Sequence, residues 1–224
     1  MAQSEFAVPT PAFADALAGG DPVVTRPTPA AAFQRAREHV REGSRLDMVA
    51  LARELGIARA TLYRWTGDRD RLLADACWAE VDSLLTYFDH TTPGTGLLRL
   101  ERFAGDFLEA LAGNHGLQAL LANEGEHGLR LITALDGGVR PRIVAAVSDL
   151  IERDAARGYR PPADPDLLAD GIVSMGERFL YHGGNPEMNP DPATARLVIG
   201  LLLREPGGGR QGPTGSSPSV PSMS

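Results

Sequence analysis

Leu46-Asp-Met-Val-Ala-Leu-Ala-Arg-Glu-Leu-Gly-Ile-Ala-Arg-Ala-Thr-Leu-Tyr-Arg-Trp-Thr-Gly-Asp-Arg-Asp-Arg-Leu-Leu73 is the stretch whose reading decides the fold. Two short helices that cross steeply need a small residue at the crossing, a turn that accepts positive φ, and apolar inner faces. Ala52 is the small residue and Gly56 supplies the turn, while Leu51, Leu55, Ile57, Leu62 and Trp65 fall on the inward faces. Asp47 is placed as the N-cap of the first helix, which the pattern carries to about Leu55. The second helix is expected from about Ala58 to Arg64, with Arg59, Thr61, Tyr63 and Arg64 on its outward side.

An ordinary solvated face also carries arginine and threonine, so the charge around this one matters. From Arg26 to Arg71 there are ten arginines against six acidic residues, a net of +4, whereas residues 72–224 carry twelve arginines against twenty acids. The chain as a whole is acidic, with net charge −7. Phosphate neutralisation is nevertheless local, screened over about 8 Å at physiological salt, so the basic region outranks the total. All 22 basic residues are arginine; because the bias runs through the whole chain, it reflects a GC-rich, actinomycete-like coding background more than any one site.

Residues 30–75 resemble the DNA-binding signature of the TetR family of transcriptional regulators. Thr61-Leu62-Tyr63, Trp65, Gly67, Arg69, Leu72 and Leu73 match it in order and spacing. Where the family often has a serine and a lysine after the turn, this chain has Ala58 and Arg59, which bears on affinity and operator sequence rather than on fold. The remainder looks like a TetR-type ligand and dimerisation domain. Its segment Glu177-Arg-Phe-Leu-Tyr-His182 most resembles the actinobacterial regulators of quorum-signal lactonases. The resemblance implies a homodimeric regulator, a repressor in most such proteins, on a pseudo-palindromic double-stranded DNA operator. A small amphipathic ligand, such as a lactone signal, would release it. Arg59, Thr61, Tyr63 and Arg64 would enter or border the major groove, and Arg45 and Arg69 would grip phosphates.

Strand signals are absent and helical periods recur, so the expected class is all-α, with an N-terminal three-helix helix-turn-helix domain and a C-terminal helical ligand-binding and dimerisation domain. The expected limits are a flexible arm at 1–26, the DNA-binding domain at 27–75, the ligand and dimerisation domain at 76–205, and a Gly/Pro/Ser tail at 206–224. Asp68 caps a helix, with Leu72, Leu73, Ala76, Cys77, Val81, Leu84, Leu85 and Phe88 at three- and four-residue spacing, that joins the two domains. Further helices are expected at about 95–112, 115–122, 125–135, 139–157, 165–182 and 191–204. Cys77 is the single cysteine, which excludes an internal disulfide and reads as a buried packing residue in a reducing compartment. No apolar run approaches the roughly 18 residues of a membrane span, and a cytoplasmic protein with no membrane partner is expected.

Trp78, Phe103, Phe107, Met175 and Phe179 are candidates for an apolar ligand site, with Glu124, His127 and His182 as its interspersed polar groups. Apolar stripes at helical spacing usually just pack, so each taken singly reads first as a core residue, and it is the cluster with its polar groups that suggests a site. Glu124 and His127 stand at i, i+3, but a second pair and the His-Glu-x-x-His spacing are missing, and no serine sits in a Gly-x-Ser-x-Gly elbow. No enzyme, metal site or cofactor is therefore expected; a sensor acting through a protein partner is the rival reading. Leu167, Leu168, Gly171, Ile172 and Met175, then Ala195, Val198, Ile199, Leu201 and Leu202, mark the last two helices as a two-fold dimer surface, with Gly171 and Gly176 permitting close approach and burial within the monomer accounting for some of these residues.

Overall fold

The computed structural model describes residues 27–181 and 191–204, which contain nine α-helices and, among those residues, no strand. α1 (Pro29–Glu42) begins with proline in its first turn behind Thr28, whose hydroxyl accepts from Ala31 N at 3.1 Å. It buries Ala32, Phe33, Ala36 and Val40. α2 (Met48–Glu54) is capped by Asp47, whose carboxylate accepts from Val49 N at 2.7 Å and Ala50 N at 3.0 Å. Hydrogen bonds from Ala50 and Val49 hold that carboxyl below the usual carboxylate range. Gly56, at φ 66°, makes the turn that reverses the chain. α3 (Arg59–Thr66) starts one residue later than expected, because Ala58 has no side chain with which to cap it.

Ala52 is buried at the α2–α3 crossing and Leu51, Leu62 and Leu46 are almost wholly excluded from solvent. A buried leucine of this kind contributes about 1.5–3 kcal/mol, so the three-helix unit is held by its inner faces. Leu55, Ile57 and Trp65 are only partly buried at its edge.

α4 (Arg69–Thr91) is the long connecting rod. Its first turns bury Leu72 and Leu73 beneath α1, where Glu80 receives Arg37 Nε at 2.8 Å and Arg41 Nε at 3.0 Å. Asp75, with no exposed surface, accepts from Arg142 at 2.9 Å on α7 (Arg140–Ala155). α5 (Gly96–Ala112), α8 (Pro165–Tyr181) and α9 (Pro192–Leu202) complete the C-terminal layer with α7. Arg99 and Asp154 form a buried pair at 2.6 Å, and Asp154 also accepts from Gly96 N at 2.9 Å, tying the start of α5 to the end of α7. The expected arm, the tail and His182 lie outside the described residues.

α6 (His115–Thr133) was expected as two helices, 115–122 and 125–135. It is one element broken internally at Gly125, with φ 58° and ψ −136°, a conformation open to glycine. Its first half lies against α1. The backbones approach there because Gly116 has no side chain, and Asn123 Nδ2 donates to Gly43 O at 2.8 Å. Its second half carries Ile132 into the C-terminal core.

Candidate nucleic-acid interface and ligand cavity

On α3 the buried side is set by Leu62 and Thr66, so the opposite side is turned to solvent by helical geometry. Arg59, Tyr63 and Arg64 are exposed and Thr61 is half-buried. Arg45 is exposed in the segment before α2. All five belong to the stretch of chain in which arginine exceeds acid. Tyr63 is 39% exposed, an aromatic surface left uncovered beside two guanidinium groups.

Arg69 is placed differently. Its Nε donates to Leu46 O at 2.9 Å, its guanidinium pairs with Glu124 of α6, and Nη1 stands 3.5 Å from Asp70. The side chain that was expected to grip a phosphate instead clamps the entry to α2 against α6. His127 Nε2 meets Asp70 at 3.0 Å on the same junction and is exposed.

The cavity lies in the C-terminal layer, enclosed by α5, α6, α7, α8 and α9, with a volume of about 70 Å³. Phe103 and Phe107, two of the ligand-site candidates, line it, stacked with centroids 5.9 Å apart. Val147, Ile151, Ile172 and Ile199 supply most of the remaining wall. Glu177 and Tyr181 are the polar side chains that reach it. Burial pushes the Glu177 carboxyl up even though Arg140 Nε, 3.2 Å away, pulls the other way. Burial, reinforced by Glu177, also raises the Tyr181 phenol.

Several of the ligand-site candidates lie away from this cavity. Glu124 and His127 do not line the cavity; they sit at the junction with the helix-turn-helix unit, where Glu124 pairs with Arg69 and His127 meets Asp70 beside the break at Gly125. Trp78, Met175 and Phe179 are partly buried against the core but are not among the cavity walls. The Arg140 cluster was missed altogether: Arg140, 5% exposed, donates to Asp170 at 2.8 Å, Ser174 at 2.9 Å and Glu177. Glu177 and Ser174 at i, i+3 facing an arginine at the start of another helix were its only sequence trace.

On the outer side of α8 and α9, Leu167 is 68% exposed, Leu197 71% and Leu201 68%, and Gly171 has open space around it. Single exposed leucines are ordinary; Leu197 and Leu201, one turn apart, give α9 an apolar outer stripe.

An all-helical chain with a helix-turn-helix at one end, a connecting rod and a five-helix layer enclosing a cavity has the TetR fold. Residues 95–204 match the tetracyclin repressor-like C-terminal domain. Among solved structures, the transcriptional repressor QsdR of R. erythropolis, from the TetR family, aligns at TM-score 0.69 and 23% identity, covering 78% of this chain and 95% of that one. The TetR family repressor AlkX of Dietzia sp. strain DQ12-45-1b, implicated in biodegradation of n-alkanes, aligns at 0.53 and 22%, covering 80% and 97%. The regulator FadR of Bacillus subtilis, in complex with stearoyl-CoA, aligns at 0.50 and 16%, covering 77% and 96%. No curated protein sequence matches the chain. At these identities the likeness is one of fold. No helix among the described residues is long and apolar enough to cross a membrane.

Proposed function

We propose that the protein is a cytoplasmic TetR-family transcriptional regulator that binds a pseudo-palindromic operator as a homodimer and is released by a small amphipathic effector. The observation that carries this reading is the outer face of α3. Its inner side is locked by Leu62 and Thr66, leaving Arg59, Tyr63 and Arg64 exposed with Thr61 beside them in the basic region of an otherwise acidic chain. That is the arrangement a major-groove reader needs. Exposed Leu167, Leu197 and Leu201 support a two-fold dimer through α8 and α9, which would set two recognition helices a helical turn apart on DNA.

The effector enters this account through the cavity. Its apolar walls suit an aliphatic body, as in the acyl chain of a lactone signal. An effector there would bear on α6, α7 and α8, which are joined to α4 and the DNA-binding unit through Asp75–Arg142, Arg69–Glu124 and Asn123–Gly43. Repression relieved by ligand follows, since a tilt of this frame moves both recognition helices out of groove register. A protein-partner sensor would leave α3 without a DNA ligand. The reading is tested by measuring operator affinity across a salt series. Arg64→Ala is expected to weaken binding and to lower the salt slope by about one unit; an unchanged slope and affinity would remove Arg64 from the contact.

A further inference from the structure

Glu124 owes its place to two glycines. Gly125, at φ 58° and ψ −136°, breaks α6 immediately after it, in a conformation open to glycine. Gly128 supplies the room. A Cβ there would stand 2.6 Å from the Cβ of Glu124, whereas the Cβ atoms of residues four apart in a regular helix are about 5–6 Å from one another. The break thus folds the Glu124 stem over Gly128, leaving its side chain 7% exposed. Glycine is, after proline, the poorest residue for a helix interior, so α6 gives up helical stability at both positions to bring this carboxylate to one point.

That point is the guanidinium of Arg69. Glu124 Oε1 accepts from Nη2, while Nε donates to Leu46 O at 2.9 Å and Nη1 stands 3.5 Å from Asp70. Leu46 follows exposed Arg45, and Arg69 opens α4 just beyond α3 with its exposed Arg64. A cation in the first turn of a helix lies at the positive end of the dipole, an unfavourable place until an anion joins it. The forked donors of a guanidinium accept a carboxylate or a phosphate in the same way. In the free protein the anion is Glu124.

We propose that Glu124 withholds Arg69 from a DNA phosphate: the carboxylate occupies the guanidinium that would otherwise grip the backbone, and so holds DNA affinity below what the basic region can reach. This rests on the reading of α3 as a DNA-contacting helix. With Glu124 in place the charge of Arg69 is cancelled, and Asp70 stands on its other side, so an approaching phosphate gains nothing from it. Beyond the joint, α6 carries Ile132 into the cavity wall, so movement of that half-helix bears on Glu124 through Gly125. The contact is an autoinhibitory one, built by the C-terminal layer against the helix-turn-helix unit.

The test measures binding of the full chain to a labelled duplex of mixed sequence across a salt series, since a phosphate contact carries no sequence information. Glu124→Gln keeps the shape and removes the charge; it is expected to tighten binding about tenfold at low salt and to steepen the salt slope by about one unit. Gly128→Ala keeps the charge but pushes the Glu124 Cβ off its seat, and should act in the same direction. Arg69→Gln should leave the slope of the otherwise native chain unchanged, yet remove the gain when combined with Glu124→Gln. A slope lowered by Arg69→Gln alone would place Arg69 on a phosphate already and overturn the proposal. If Glu124 only braces the fold, Glu124→Gln weakens binding or leaves it unchanged while Arg64→Ala still lowers the slope; the proposal is then wrong and the DNA reading stands. If the native chain binds no DNA, both fall.

Discussion

Gly116→Ala probes the seam through which the C-terminal layer holds the helix-turn-helix unit. A Cβ built at Gly116 would stand 2.7 Å from the carbonyl carbon of Arg41 and 2.7 Å from Val40 O, with Arg41 O nearer still. Ordinary contact begins near 3.4 Å, and the obstructing atoms are backbone at the end of α1, which cannot swing aside. Overpacking costs about 1–3 kcal/mol, and a rigid obstacle puts this case at the upper end. Alanine recovers up to about 1 kcal/mol of helix propensity, so a net loss of about 2 kcal/mol is expected. For a chain of this length that lowers Tm by about 4–8 °C. Thermal unfolding followed by circular dichroism reads it directly. Gly105→Ala is the paired control: its Cβ would also meet an atom at 2.7 Å, but that atom is Cδ of the Arg196 side chain, which can move. The control should change stability by less than about 1 kcal/mol. A neutral Gly116→Ala, or two variants equally destabilised, would refute the claim that α1 and α6 touch backbone to backbone.

Arg99→Ala leaves Asp154 buried without its guanidinium, and should cost about 3–5 kcal/mol by denaturant titration; a loss under about 1 kcal/mol would mean that the Asp154–Gly96 bond alone anchors α5. Burial pushes the Cys77 thiol up to about 12, with Glu80 and Glu124 adding to the shift, so a disulfide reagent at neutral pH should label it only as the protein unfolds; rapid native labelling would contradict its burial. Leu201→Asp should convert the dimer to folded monomer in sedimentation velocity and abolish operator binding, whereas an unchanged sedimentation coefficient would place the dimer surface elsewhere. Because the Asp47 carboxyl is held low by its cap bonds, its contribution is present above the ordinary Asp value of 3.8 and is lost as pH falls through the lowered folded value. Asp47→Ala should accordingly flatten the acid limb of the stability profile; an unchanged limb would show that the cap does not matter to folding.

The helix-turn-helix was legible because its constraints are local: Ala52, Gly56 and Leu62 each do one thing that few other residues do, within eleven positions. Asp47 and Asp68 announced their helices for the same reason, each accepting from a backbone N–H two or three residues on. The link helix and the stacked Phe103–Phe107 pair were also within reach of periodicity. Contacts between distant segments were not. Arg99–Asp154 and Arg69–Glu124 each span 55 residues, and no local pattern marks one carboxylate as the partner of one arginine among 22.

The cavity shows the same division. A stripe of Val and Ile at helical spacing is identical in sequence whether it packs against a neighbour or faces a void, so Val147, Ile151 and Ile172 were indistinguishable from core. Glu124 and His127 were drawn to the ligand site as polar residues in an apolar helix; the turn at Gly125 and the partners on α4, which place them against the helix-turn-helix unit, have no local signal. Gly116 and Gly43 gave no sign that they mark the close approach of α6 to α1.

The central claim is that the outer face of α3 reads bases from a two-fold dimer. Selection of fragmented genomic DNA by the purified protein at two salt concentrations tests it most directly. The account predicts enrichment of a discrete, symmetric site whose retention survives the higher salt and is lost in Arg64→Ala. Retention that is absent, or uniform across sequences and removed by salt, would contradict it.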